Sequence, residues 1–145
     1  MEELIKALKV ALADTFTFYL KAHNFHWNVT GPDFQEYHAF LGDLWEEVFD
    51  AVDLIAEGIR TLDAFAPGTL GRFSELTTLS EDTGIPPALS MIKKLSADND
   101  KVLVSLIKAY ELAEQNKKFG ISNFLQDRIT AHEKHGWMLR SFTKA

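Results

Sequence analysis

At 145 residues the chain has the length of one domain built around one core, and it is read as a single domain over residues 1–145. Hydrophobic residues at 46% and charged residues at 25% are ordinary for a water-soluble globular chain, and the lack of cysteine excludes disulfides, thiolate zinc sites and iron–sulfur clusters. A formal charge of −6 argues against nucleic acid as the default partner, because duplex binding relies on a basic surface to neutralise phosphates.

The N-terminus, MEELIKALKVALADTF, mixes charges into its apolar positions and lacks a basic n-region, so no secretory signal is expected. No run reaches the roughly eighteen apolar residues that a membrane span requires. The expectation is a cytoplasmic protein with no membrane partner.

Four long segments show helical periodicity, and none shows strand alternation. The first runs from about Glu3 to Asn28, with Leu8, Leu12, Thr15, Tyr19 and His26 on one stripe. Gly31-Pro32 ends it. The second opens at Asp33, a candidate cap with Glu36 three residues on, and carries Leu41, Trp45, Val48, Val52, Ile55 and Ile59. It stops between Asp63 and Gly68. A short apolar cluster follows (Phe73, Leu76, Leu79), suited to a small helix. Pro86-Pro87 opens the third long segment, with a proline expected at its first helical position and Leu89, Ile92, Leu95, Val102, Leu106, Ala109 and Ala113 buried. Lys117 to Gly120 breaks the pattern, and the last segment runs from about Ser122 to Phe142. Only the connection between the second and third long helices is long. That pattern predicts an all-α fold, a ferritin-like four-helix bundle whose one long crossover carries a short helix.

Two imidazoles, His26 and His38, and two carboxylates, Asp53 and Glu57, form a mixed N/O ligand set suited to iron or another first-row metal. Asp53 and Glu57 are i, i+4 neighbours able to reach one ion. His38 and Asp53, however, lie fifteen residues apart on one predicted helix, about 22 Å along its axis. One copy cannot gather all four unless that helix breaks, whereas two antiparallel copies can. A site built from these residues therefore lies between subunits. A di-iron centre inside the bundle needs Glu-x-x-His motifs, and the chain has none: Glu36 and Glu133 precede His38 and His135 by two residues. His132-Glu133-Lys134-His135 is one residue short of a zincin spacing. It reads better as a packed, hydrogen-bonded His132 with His135 near the surface than as a zinc pair.

The sequence His23-Asn24-Phe25-His26-Trp27, then Gly31-Pro32-x-Phe34, His38 and Asp53-x-x-Ala56-Glu57-x-Ile59 resembles the signature of the Dps family of mini-ferritins. Arg128-Ile129, His132-Glu133-Lys134 and Trp137-Met138-Leu139-Arg140-Ser141 resemble that family's last helix. The resemblance implies a hollow dodecameric homo-oligomer whose ferroxidase centre sits at a two-fold interface. His26 and His38 are then the imidazole ligands, with Asp53 and Glu57 supplied by the partner. It also implies Fe(II) as the metal, hydrogen peroxide or oxygen as oxidant, ferric storage and protection against oxidative stress. Trp27 resembles a family tryptophan that quenches radicals beside the centre; an aromatic anchor at a helix end is the competing reading.

Three departures qualify these expectations. Gly42 stands where the family has a further ligand aspartate, which leaves a metal-binding or purely structural assembly with weakened or lost ferroxidase activity as the alternative. Lys117-Lys118 and Asn123 occupy the loop region where relatives carry acidic residues lining an iron access route. Only Thr143-Lys144-Ala145 follow the last matching segment, so with no basic tail DNA binding is not expected.

Overall fold

The computed structural model describes residues 1–144. Five helices follow in order: α1 (Glu2–Asn28), α2 (Phe34–Arg60), α3 (Leu70–Leu76), α4 (Ala88–Gln115) and α5 (Phe119–Ser141). The four long ones form the bundle, with α1 packed along both α2 and α4, and α4 along α5. The all-α, ferritin-like architecture with a long crossover is as the periodicity predicts. Among the described residues no helix is long and apolar enough to cross a membrane.

Inward positions recur at three- and four-residue steps. On α1 the fully buried set includes Leu4, Leu8, Ala11, Phe18, Ala22 and Phe25, facing Leu41, Val48, Ile55 and Ile59 of α2. Each buried phenylalanine contributes roughly 2–3 kcal/mol through the apolar surface it removes from water. Across the bundle, α2 and α5 meet at Gly58. A Cβ there would lie 2.8 Å from the Phe124 ring, so only glycine admits that ring.

Several helix ends differ from expectation. Asp33 does not cap α2 with its side chain. It sits in the left-handed region at φ 64°, where its carboxylate is not aimed at the first-turn amides, and Tyr37 N–H bonds to its carbonyl instead. Gly31, at φ 104°, takes the backbone conformation that lets the chain reverse between α1 and α2. Pro87 is the residue before α4, not its first helical residue. Leu89, in that first turn, is 40% exposed, and the buried stripe starts at Met91. The α4–α5 turn is shorter than read: Lys117 reverses the chain at φ 56°, and α5 begins at Phe119, with Gly120 tolerated in its first turn.

The crossover is pinned. Fully buried Asp14 accepts bonds from the Thr77 hydroxyl (2.7 Å), the Thr78 amide (2.7 Å) and hydroxyl (2.8 Å), and the Ser105 hydroxyl. Lys21 pairs with Asp98 at 2.7 Å and donates to the Ser80 carbonyl at 3.0 Å. A desolvated carboxylate is tolerable only with such partners. These bonds tie the segment after α3 to both α1 and α4.

Candidate metal centre

His26 lies in the last turn of α1 and His38 early in α2, and the short connection through buried Val29 folds one against the other. Each locks its neighbour. His26 Nδ1 donates to the His38 carbonyl at 2.7 Å, and His38 Nδ1 donates to the His26 carbonyl at 2.8 Å. The rings stack with centroids 3.8 Å apart and planes 16° apart. A carbonyl can only accept, so both Nδ1 atoms carry a proton, and the neutral form of each ring has its lone pair on Nε2. Backbone bonds at Nδ1 fix the tautomer and ring orientation that a metal-ligating Nε2 needs.

Gly42 is part of this arrangement. A Cβ at position 42 would stand 3.1 Å from His26 Cε1 and 3.3 Å from its Nδ1. The His26 ring thus occupies space that any larger residue at position 42 would contest.

Behind the pair lies an aromatic layer. The His23 ring stacks on Trp45 (3.8 Å, 9°) and packs against the tilted Trp27 ring (3.9 Å, 36°), and the Tyr19 hydroxyl is hydrogen-bonded to His23 Nδ1 at 3.0 Å. Burial lowers the His23 pKa, with the neighbouring His26 adding to the effect and the Glu46 carboxylate opposing it. Trp27, the last-turn residue after His26, is 59% exposed, and its ring packs tilted against His23.

Asp53 and Glu57 are exposed on α2, one turn apart. Helix α2 runs unbroken from Phe34 to Arg60, so Asp53 stays about 22 Å and Glu57 about 28 Å from His38 along its axis. The structure brings His26 to His38 but does not bring either to Asp53 or Glu57. Among the described residues, no group of three or more His, Asp or Glu side chains within one chain is placed to hold a metal ion.

A second histidine pair sits inside the bundle. His132 is fully buried, donating from Nδ1 to Asn99 Oδ1 at 2.8 Å while Asn99 Nδ2 donates to the His132 carbonyl at 2.8 Å. Its Nε2 accepts from Arg128 Nη2 at 3.2 Å. Arg128 forks onto both oxygens of Glu47, and Glu47 Oε1 also accepts from His135 Nε2 at 2.6 Å. His132 is packed and hydrogen-bonded as expected; His135 is not near the surface but buried on the α5 face turned to α2, where it bonds to Glu47. Burial, then the charges of Arg128 and His135, push the His132 pKa well below the ordinary histidine value. For Glu47, burial opposes ionisation, but the bonds from His135 and Arg128 outweigh it and hold the carboxylate well below its usual range. Sequence reading missed Glu47, Arg128 and Asn99 in this role. The available signal was an acid at position 47, between inward-facing Leu44 and Val48.

Residues 5–145 match the family model described as Ferritin-like domain. The DNA protection during starvation protein 2 of Bacillus anthracis is 32% identical over 141 residues, covering 97% of this chain and 97% of that protein. The Dps structure from Staphylococcus aureus superposes with a TM-score of 0.94 at 29% identity, covering 100% of this chain and 97% of that one. The Vibrio cholerae Dps, described as a member of a broad superfamily of ferritin-like diiron-carboxylate proteins, gives a TM-score of 0.94 at 28% identity, over 99% and 90% of the two chains. This chain belongs to the Dps family of ferritin-like proteins.

Proposed function

We propose that the chain is a mini-ferritin that binds Fe(II) between two-fold-related subunits, oxidises it with hydrogen peroxide or oxygen, and stores the ferric product in a hollow dodecameric shell in the cytoplasm. The observation that carries this reading is the reciprocal His26–His38 lock, which commits both Nδ1 atoms to the backbone and leaves both Nε2 atoms without a protein partner, with no third His, Asp or Glu among the described residues placed to complete a site. Asp53 and Glu57 of a second, antiparallel copy supply the missing oxygens. Iron is the substrate. Two Fe(II) ions each give one electron to one peroxide, which takes up two protons and leaves as two waters, so no hydroxyl radical is released. The residues hold the ions where both electrons reach the same oxidant. Trp27, adjacent to His26 in the chain, donates an electron in this reading when that pairing fails.

The test is complementation. His26→Ala/His38→Ala and Asp53→Ala/Glu57→Ala chains are each inactive alone; unfolded and reassembled together, they form mixed pairs holding one intact site of two. Random mixing then restores about a quarter of wild-type oxidation, a signature only an inter-subunit site gives. No recovery in assembled mixtures refutes the shared site.

One observation favours a second reading, a shell that binds metal but oxidises it slowly. The space at Gly42 is taken by the His26 ring, so the site has one carboxylate fewer than the family pattern. Anaerobic Fe(II) titration followed by peroxide separates the two. Prompt ferric absorbance supports the enzyme, stoichiometric binding without oxidation supports the binder, and no binding supports a purely structural assembly.

A further inference from the structure

The cluster inside the bundle is assembled from metal-ligand residue types, yet a side chain of the protein stands at its centre. Glu47 comes from α2, and His132 and His135 come from α5. Two imidazoles and one carboxylate are a ligand set that zinc and other first-row divalent ions accept. His132 is also supported as a ligand is. Its Nδ1–H bond to Asn99 Oδ1 (2.8 Å) fixes the tautomer, and the Asn99 amide holds the carbonyl of the same residue (2.8 Å). Its Nε2 lone pair therefore points into the cluster, where Glu47 is held ionised by bonds that outweigh its burial.

The Arg128 guanidinium occupies these acceptors. It forks onto both Glu47 oxygens and also gives Nη2 to His132 Nε2 at 3.2 Å. Arg128 is buried, and its buried Nε has no partner among the described residues. An apolar side chain would fill the same space without desolvating a charge. What the guanidinium adds is a fixed positive charge against Glu47 and a donor on the His132 lone pair.

We propose that Arg128 is a built-in cation seated in a latent divalent-metal site of the bundle interior, and that it keeps ions such as Fe(II), Co(II) and Zn(II) from binding there. With the guanidinium in place, no three ligand side chains among the described residues gather round an ion. An entering ion would also meet like charge in a poorly solvated space, where repulsion is strong. Truncating Arg128 leaves a space bordered by Glu47 and the two imidazoles, with Glu47 short of its main counter-charge. A divalent ion then takes that place. His135 joins the set by giving up from Nε2 the proton it now donates to Glu47, which passes to its other ring nitrogen or to solvent. This inference stands apart from the iron reading at the α1–α2 hairpin; under that reading, Arg128 confines Fe(II) to the subunit interface.

The test uses Co(II), whose visible absorption reports its coordination, and the His26→Ala/His38→Ala protein, which lacks the hairpin imidazoles. That protein is expected to give no Co(II) band. Adding Arg128→Ala is expected to produce a band that saturates at about one Co(II) per chain. The band should vanish on further change of His132→Gln or Glu47→Gln, and it should stay absent with Arg128→Lys, which keeps a cation. If Arg128→Ala loses helicity without metal, Co(II) is expected to restore it, because binding favours the folded chain. Neither a band nor recovered helicity in Arg128→Ala overturns the proposal. A band that persists in His132→Gln or Glu47→Gln overturns it too, as does one in Arg128→Lys, since charge would then not be what excludes the ion. Whether the His26→Ala/His38→Ala protein oxidises Fe(II) bears on the hairpin site alone.

Discussion

The protein holds two histidine pairs, and the contrast between them is in which ring nitrogens are already engaged. In the bundle interior His132 has both ring nitrogens engaged, by Asn99 and Arg128, and His135 Nε2 is bound to Glu47. A guanidinium occupies the middle of that cluster, so its cationic centre is already filled. At the α1–α2 hairpin the same residue type uses Nδ1 on backbone carbonyls and keeps Nε2 free. A ligand needs an unshared lone pair; a structural histidine needs none left over. Burial is the divide: both ring nitrogens of fully buried His132 have partners, whereas half-buried His26 and His38 engage only Nδ1.

The largest expected effect tests the open pair. His26→Ala/His38→Ala should lower Fe(II) oxidation by at least about a hundredfold, beyond the 10–100-fold typical of outer-shell changes, with helicity by circular dichroism retained. Full activity in that variant would remove the hairpin from the mechanism. The closed pair should respond in stability instead. Glu47→Ala leaves Arg128 and His135 without their anion and should destabilise by about 2 kcal/mol, less than a fully buried pair because the Glu47 side chain is 40% exposed. Urea unfolding at fixed protein concentration measures it, and the contrast weakens if Fe(II) oxidation falls as far as stability does.

A pH series sharpens the same contrast. The His132 pKa is lowered in the folded chain by burial first, then by Arg128 and His135. Below about pH 6.5 the unfolded chain gains a proton there that the folded chain refuses. Its contribution is thus complete above that value and declines as pH falls, by up to about 1.4 kcal/mol per pH unit. Glu47, also held low, adds a further decline below its ordinary value of 4.5. Unfolding free energies between pH 7.5 and 5.5 should show the slope in wild type and a flatter one in His132→Gln. The smallest effect concerns Gly42→Ala. Helix propensity gains up to about 1 kcal/mol, but the new Cβ presses on the His26 ring at 3.1 Å. Stability should hardly change while Fe(II) binding weakens severalfold; calorimetric titration giving unaltered affinity would show that the ring does not need that space.

Much of this was legible beforehand. Long 3.6-period segments such as the Leu41–Ile59 stripe carry their own burial pattern, and the fifteen-residue gap from His38 to Asp53 predicts that one chain cannot close the site, because helical rise is a constant. Helix ends were less legible. Asp33 has a capping residue's identity but a left-handed backbone, which depends on how Gly31 turns the chain. The Glu47–Arg128–His132 network was also hidden, since Glu47 on α2 lies more than eighty residues from Arg128 and His132 on α5.

By itself the sequence determined the helices, the long crossover and the candidate ligands, and that one unbroken α2 cannot bring His38 to Asp53 and Glu57, all of which follow from local periodicity and fixed helical dimensions. Only the tertiary structure decided which histidines keep a lone pair. It also decided that Gly42 makes room for His26 and that His23 lies between two indoles under a phenol. Those outcomes depend on which side chains meet across helices, and no spacing along one helix encodes them.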